Sequence, residues 1–338
     1  MLQMAPLARM APLAPLARIA PLAPTVPIPP SAGAMPQAPP LPTSGDLYGV
    51  AAVARHVVVD GGVRLHVVEA GPADGPLVLL LHGFPEFWYA WHRQIAPLAA
   101  AGHRVLVPDL RGYGLSDKPR GVGSYRMDRL AADVAGLIGT AGRERASVVG
   151  HDWGGALAWW LAADQPERID RLAVLNVPHP AVMRRHLLRN PAQRRRSWYI
   201  FFFQLPWLPE LWLRRRDWAI ASRMLVALTR RGVFDQVMLA RYRAAWRQRG
   251  ELPAATAMIH WYRAAMRRPA RPRQRRVTVR TRVIWGVLDR ALGRELVPDS
   301  LALCDAGEAV YLDGAGHFVQ HEEPERVTEL LLEHLPRA

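Results

Sequence analysis

The chain has 338 residues, a formal net charge of +15 and a composition that is 50% hydrophobic. That length can bury a sizeable core, and a single cysteine, Cys304, excludes an internal disulfide. No run of about 20 apolar residues is present, which argues against a membrane span and makes the cytoplasm the default location.

Residues 1–45 hold twelve of the thirty prolines, two charges (Arg9 and Arg18) and four copies of Ala-Pro-Leu-Ala. Proline at that density blocks helix and central strand alike, so 1–45 reads as an extended, disordered tail. The same prolines interrupt any signal-peptide core, and Met35 is an alternative start. From residue 46 onward, apolar runs bounded by turn residues predict strands at 55–59, 63–69, 76–81, 103–108, 146–150, 170–176, 281–286 and 308–312. Helical stretches fall between them at 88–100, 125–141, 154–164, 293–303 and 324–335. Cys304 reads as a small apolar residue in a helix. The alternation predicts an α/β fold with an eight-stranded, mostly parallel sheet, helices on both faces and an antiparallel hairpin at its start. It breaks between 178 and 278, a helical, aromatic block with six of the twelve tryptophans. The expected organisation is therefore a core of 46–177 and 279–338 carrying 178–278 as an inserted helical lid.

Three sites at predicted strand ends carry the chemistry. After the strand at 146–150 comes Gly150-His151-Asp152-Trp153-Gly154-Gly155, glycines around an acid between strand and helix. This pattern describes a nucleophile elbow, a sharp turn that thrusts one side chain outward. Aspartate before a helix could instead be an N-cap. As a nucleophile it is unsuited to ester hydrolysis, since acylation would give an anhydride, but it can displace a leaving group at saturated carbon. The strand at 76–81 ends at His82-Gly83-Phe84-Pro85, whose backbone would lie beside the elbow. Hydrolase elbows build an oxyanion hole from that loop and from the residue after the nucleophile, here the amides of Phe84 and Trp153. Asp289 follows the strand at 281–286, and His317 follows Gly314-Ala315-Gly316. Nucleophile, acid, histidine is the chain order of an α/β-hydrolase triad. His82 and His151 read as structural turn residues.

His82-Gly83-Phe84-Pro85, Arg111-Gly112-Tyr113-Gly114-Leu115-Ser116 and the Asp152 elbow together resemble the soluble epoxide hydrolases of the α/β-hydrolase fold. The resemblance runs from about residue 54 to the C-terminus. It implies two lid tyrosines, matched by Tyr199 in Ser197-Trp198-Tyr199-Ile200 and Tyr262 in His260-Trp261-Tyr262-Arg263, that hydrogen-bond the epoxide oxygen and supply its proton. Tyr48, Tyr89, Tyr113, Tyr125, Tyr242 and Tyr311 read as packing residues. The implied reaction forms a hydroxyalkyl ester on Asp152, which water activated by His317 and Asp289 resolves to a vicinal diol. It needs a small-molecule epoxide and no metal or organic cofactor. Two alternatives stay open: a haloalkane or fluoroacetate dehalogenase, with the Trp153 indole holding the halide, and a catalytically silent hydrolase fold used for binding.

Charge is uneven. Residues 181–282 hold 25 arginines, no lysine and four acids (Glu210, Asp217, Asp235 and Glu251), a net of +21, so the rest of the chain sums to −6. The chain has one lysine, Lys118, against 43 arginines, a bias that looks like coding preference rather than selection for a ligand. The basic block reads as solvated surface or as contact with acidic lipid. Nothing resembles a nucleic-acid module. Oligomeric state is not legible.

Overall fold

Parallel strands buried on both faces need apolar residues at every position, and Leu77-Val78-Leu79-Leu80-Leu81 is such a run, buried throughout. The computed structural model describes residues 44–47, 50–59 and 61–337. Its strands are β1 (Ser44–Leu47), β2 (Val50–Val58), β3 (Arg64–Ala70), β4 (Leu77–Leu81), β5 (Arg104–Pro108), β6 (Ala146–His151), β7 (Ile169–Leu175), β8 (Thr281–Gly286) and β9 (Gly307–Leu312). They form one sheet in the order β1-β2-β3-β5-β4-β6-β7-β8-β9. The pairings from β1 to β5 through β2 and β3 are antiparallel, and those from β5 to β9 are parallel.

The helices are α1 (His92–Ala100), α2 (Met127–Thr140), α3 (Asp152–Asp164), α4 (Pro180–Arg189), α5 (Pro191–Arg196), α6 (Trp198–Phe202), α7 (Leu208–Ala227), α8 (Gln236–Arg247), α9 (Ala254–Arg267), α10 (Leu296–Leu301), α11 (Val319–Glu322) and α12 (Pro324–His334). α3 is apolar around nearly its whole circumference because it is buried all round, against β6, β7 and α2. α1 packs on α12. Helices α4 to α9 occupy the segment between β7 and β8. That segment is tied to the sheet's loops by hydrogen bonds from Trp246 to the Pro85 carbonyl (2.6 Å) and from Trp261 to the Arg111 carbonyl (2.9 Å). A largely buried ion pair, Arg263 to Glu210 at 2.6 Å, links α9 to the start of α7. α7 is two helices joined at a kink over Arg215, Arg216, Asp217 and Trp218.

The eight expected strands are all present, and several boundaries need correction. β1 is an additional edge strand whose first two residues fall inside the stretch expected to be tail. The rest of that tail, Met35 and Tyr48 lie outside the described residues. β2 starts at Val50 rather than 55, because an outer strand with mostly exposed side chains lacks the apolar signal of a central one. The expected helix at 88–100 opens as a 3-10 turn over Trp88–Trp91, and that at 293–303 shrinks to α10. Cys304 is not helical. It forms an isolated bridge with Val277 and is buried, with its thiol pushed up to about 11 by burial. Among the described residues no helix is long and apolar enough to cross a membrane.

Candidate active site

Asp152 occupies the turn from β6 into α3 with φ +48°, a left-handed conformation that costs a non-glycine residue energy unless its surroundings hold it. Three glycines make room. A Cβ at Gly150 would strike the Gly154 carbonyl, one at Gly154 the Leu81 and His82 carbonyls, and one at Gly155 the Val177 side chain. Gly83 lies so close that its own Cβ would strike Asp152. The carboxylate therefore sits between β6 and the loop after β4, at the first turn of α3, where the helix dipole favours negative charge.

Asp152 is the first residue of α3, whose N-cap position is His151. Asp152 Oδ1 accepts from the Phe84 N–H at 2.8 Å, and its Oδ2 lies 3.6 Å from His317 Nε2. The Trp153 amide belongs to the first turn of α3, where N–H groups have no intrahelical acceptor. On the other side of the imidazole, His317 Nδ1 donates to Asp289 Oδ2 at 2.8 Å. Asp289 is held by three further donors: Asn176 Nδ2 at 2.8 Å on Oδ2, and the amides of Ala291 (2.7 Å) and Leu292 (2.9 Å) on Oδ1. Asp152, His317 and Asp289 are all buried. The structure thus brings together the three residues that sequence placed 137 and 28 positions apart, as 289 − 152 and 317 − 289.

Charge within this group is strongly coupled. Burial opposes ionisation of Asp152, but the His317 hydrogen bond and charge outweigh it and hold the carboxyl below its usual 3.8. Burial likewise opposes a charged His317, yet the two flanking carboxylates raise its pKa well above 6.5. The two neighbouring acids thus favour the proton on His317.

Tyr199 (on α6) and Tyr262 (on α9) meet above the elbow with ring centroids 6.0 Å apart. Tyr262 also packs edge-to-face on Phe84 at 5.2 Å and on Trp153 at 4.9 Å. Burial first, and the Asp152 charge second, raise the pKa of both phenols. Both stay protonated donors at neutral pH. Among the other tyrosines, Tyr113 and Tyr125 pack against Trp261 and His260 respectively, and Tyr113 also feels the Asp152 charge.

Two groups escaped the sequence reading. Asn176, at φ +46° just past β7, clamps Asp289 and also accepts from the Gly286 amide at 2.8 Å. Glu86, fully buried behind the elbow, receives His151 Nδ1 at 2.8 Å, His321 Nε2 at 2.9 Å and the Gly83 amide at 3.3 Å. Burial works against this carboxylate, but His151 and then His321 hold it well below the usual range. His151 reaches onward through Nε2 to the His317 carbonyl at 2.9 Å, so it does more than shape a turn. His82 behaves as a turn residue, donating through Nδ1 to the Gly83 carbonyl and accepting the Leu110 amide at 3.0 Å.

A sequence profile described as the alpha/beta hydrolase fold matches residues 76–324, which spans the elbow, Asp289 and His317. The chain belongs to the α/β-hydrolase family. Relatives of this hydrolase include the AB hydrolase superfamily protein YfhM of Bacillus subtilis (strain 168), 46% identical over 81% of this chain and 95% of that protein. Human epoxide hydrolase 4 is 33% identical over 87% of this chain and 81% of its own length. Among solved structures, an inhibitor complex of the Bacillus megaterium epoxide hydrolase superposes with a TM-score of 0.75 at 28% identity, covering 82% of this chain and 99% of that one. Epoxide hydrolase A from Mycobacterium thermoresistibile gives a TM-score of 0.71 at 31% identity, covering 83% and 97%.

Proposed function

We propose that this α/β-hydrolase opens epoxides to vicinal diols through a hydroxyalkyl ester on Asp152. The observation that carries the reading is an elbow carboxylate overlooked by two protonated phenols, the buried Tyr262 and the half-buried Tyr199. Relatives named epoxide hydrolases support it. In this reading the helices of 178–278 form a lid over a core of 46–177 and 279–338, and the tail precedes both.

The proton inventory closes around His317. Asp152 attacks an epoxide carbon, the C–O bond breaks, and a phenol of Tyr199 or Tyr262 protonates the departing oxygen. Alkylation converts Asp152 from an anion to a neutral ester and removes one of the two charges that hold the proton on His317. The imidazolium then returns a proton to the phenolate and becomes a free base at the moment a base is needed. Neutral His317, oriented by Asp289, takes a proton from water, and that water adds to the ester carbonyl. The oxyanion forms where Phe84 N–H already donates to Asp152 Oδ1, with the Trp153 amide as the second donor. Collapse breaks the bond to the alkyl oxygen, which takes up the proton of the added hydroxyl, so the diol leaves and Asp152 returns to a carboxylate.

A dehalogenase would use the Trp153 indole to hold a halide, whereas two phenols over the elbow carboxylate suit an epoxide oxygen that must take up a proton. The discriminating assay offers purified protein styrene oxide, an aliphatic epoxide, a chloroalkane and fluoroacetate, with Asp152→Ala beside it. Diol without free halide, lost in Asp152→Ala, is the expected result. Halide without diol would replace this reading with the dehalogenase, and neither product would favour a binding fold.

A further inference from the structure

Six of the fourteen large apolar side chains exposed among the described residues fall in one short stretch. Between the end of α5 and the first turns of α7 the exposed residues include Trp198, Phe201, Leu205, Trp207 (77% exposed), Leu208 and Leu211 (65% exposed). Trp198 meets Trp212 at 6.4 Å and Phe202 at 5.8 Å, which brings α6 against the start of α7. The intervening turn is held in place from beneath by Arg263, which donates to the Phe203 and Leu205 carbonyls, and by Arg267, which donates to the Gln204 carbonyl. Water-facing aromatic surface on this scale is costly and marks contact with something apolar.

Charge identifies the occupant. Arg194, Arg195 and Arg196 stand immediately before the apolar stretch, and Arg214, Arg215 and Arg216 immediately after it, all exposed. Of these six, only Arg196 has a carboxylate partner among the described residues, Glu295 at 3.0 Å. An apolar, Trp-bearing patch bracketed by unpaired arginines matches the layering of an anionic bilayer surface, with phosphate outside and acyl chain within. A dimer interface built from this patch would bring the same arginines of two copies together, where like charges repel.

We propose that this face, from Trp198 to Leu211 with the flanking arginines, docks on membranes rich in anionic phospholipid. The geometry gives docking a consequence. α6 carries Trp198 and Phe201 outward and Tyr199 inward, toward Tyr262 and the Asp152 charge. A single five-residue helix would therefore separate the bilayer from the site, and apolar substrate dissolved in lipid would reach the site without crossing bulk water.

The test is co-sedimentation of the full chain with vesicles of phosphatidylcholine alone and of phosphatidylcholine mixed with phosphatidylglycerol. Three proteins are compared: wild type, Trp207→Ala/Leu211→Ala, and Arg214→Gln/Arg215→Gln/Arg216→Gln. Melting temperature and sedimentation velocity are recorded for each to confirm folding and assembly state. Selective binding to the anionic vesicles is expected, falling about fivefold per arginine removed and falling also in the apolar double variant. Blue-shifted tryptophan emission on binding, lost in the double variant, would place Trp207 in the lipid. Failure to bind, or binding indifferent to phosphatidylglycerol, would overturn the proposal. Binding that the double variant retains in full would show simple polycation behaviour and overturn it too. So would a wild-type dimer that the double variant dissociates, since a second copy would then own the patch. None of these readouts requires the enzyme to act on epoxides.

Discussion

The floor of the site and the outer face of the helices above it obey opposite rules. On the floor nearly every polar group is answered: four donors converge on Asp289, and Glu86 sits among His151, His321 and the Gly83 amide. On the outer face Arg194, Arg195, Arg214, Arg215 and Arg216 stand without carboxylates among the described residues, and ten of the fourteen large exposed hydrophobics described fall in 178–278. Chemistry that develops charge needs dipoles already aimed, and the donors around Asp289 and Glu86 are in place in the folded chain. A surface that meets a partner keeps its contacts unmade until the partner arrives.

The sharpest way to break this contrast is to empty the floor. Asp152→Ala is expected to lower diol formation by about 10⁴-fold or more, measured against a folded control by thermal melt. His317→Gln should instead permit ring opening once and stop at the ester, leaving an adduct of one substrate mass on the intact protein. Next come the phenols, which belong to the upper region but face the floor. Tyr199→Phe and Tyr262→Phe are each expected to slow ring opening by about 10²-fold, with the double variant slower than either, because two donors share one proton transfer. Asn176→Ala should cost about tenfold in kcat with KM little changed, since it loosens Asp289 without touching substrate. If KM moves instead, Asn176 shapes the pocket rather than the acid.

The smallest effect is on stability against pH. Burial holds His92 down to about 3, and His179, His260 and His334 down to about 4. The unfolded chain takes up those protons near about 6.5. Their stabilisation is therefore complete above that pH and lost as pH falls toward their folded values. His317 carries the opposite sign, because its raised pKa stabilises the fold below about 6.5 and the contribution fades as pH rises. Melting temperature should accordingly drop between about pH 6.5 and about pH 4, four histidines outweighing one. A flat profile across that window would mean the four are already solvated.

Much of the floor was legible because the elbow is local. Gly150, Gly154 and Gly155 stand at fixed offsets from Asp152, and each proves to be a position where a Cβ would collide with neighbouring atoms. Strand-end placement likewise exposed Asp289 and His317. Tyr199 and Tyr262 came from resemblance, since an aromatic in a helix looks the same whether it packs or donates. Asn176 and Glu86 left no local trace: their partners lie 113 and 65 residues away, joined only when β7 meets β8 and the loop after β4 meets β6. β2 was shortened and β1 missed for the converse reason, because edge strands carry little apolar pattern.

The central claim is that Asp152 becomes covalently bound to substrate, and a single turnover in heavy-oxygen water tests it most directly. With enzyme in excess over epoxide, the account predicts that the label enters the Asp152 carboxylate and that the first diol carries ordinary oxygen. Label found in that first diol, with the Asp152 peptide unlabelled, would mean that water attacks the epoxide itself and that the ester does not exist.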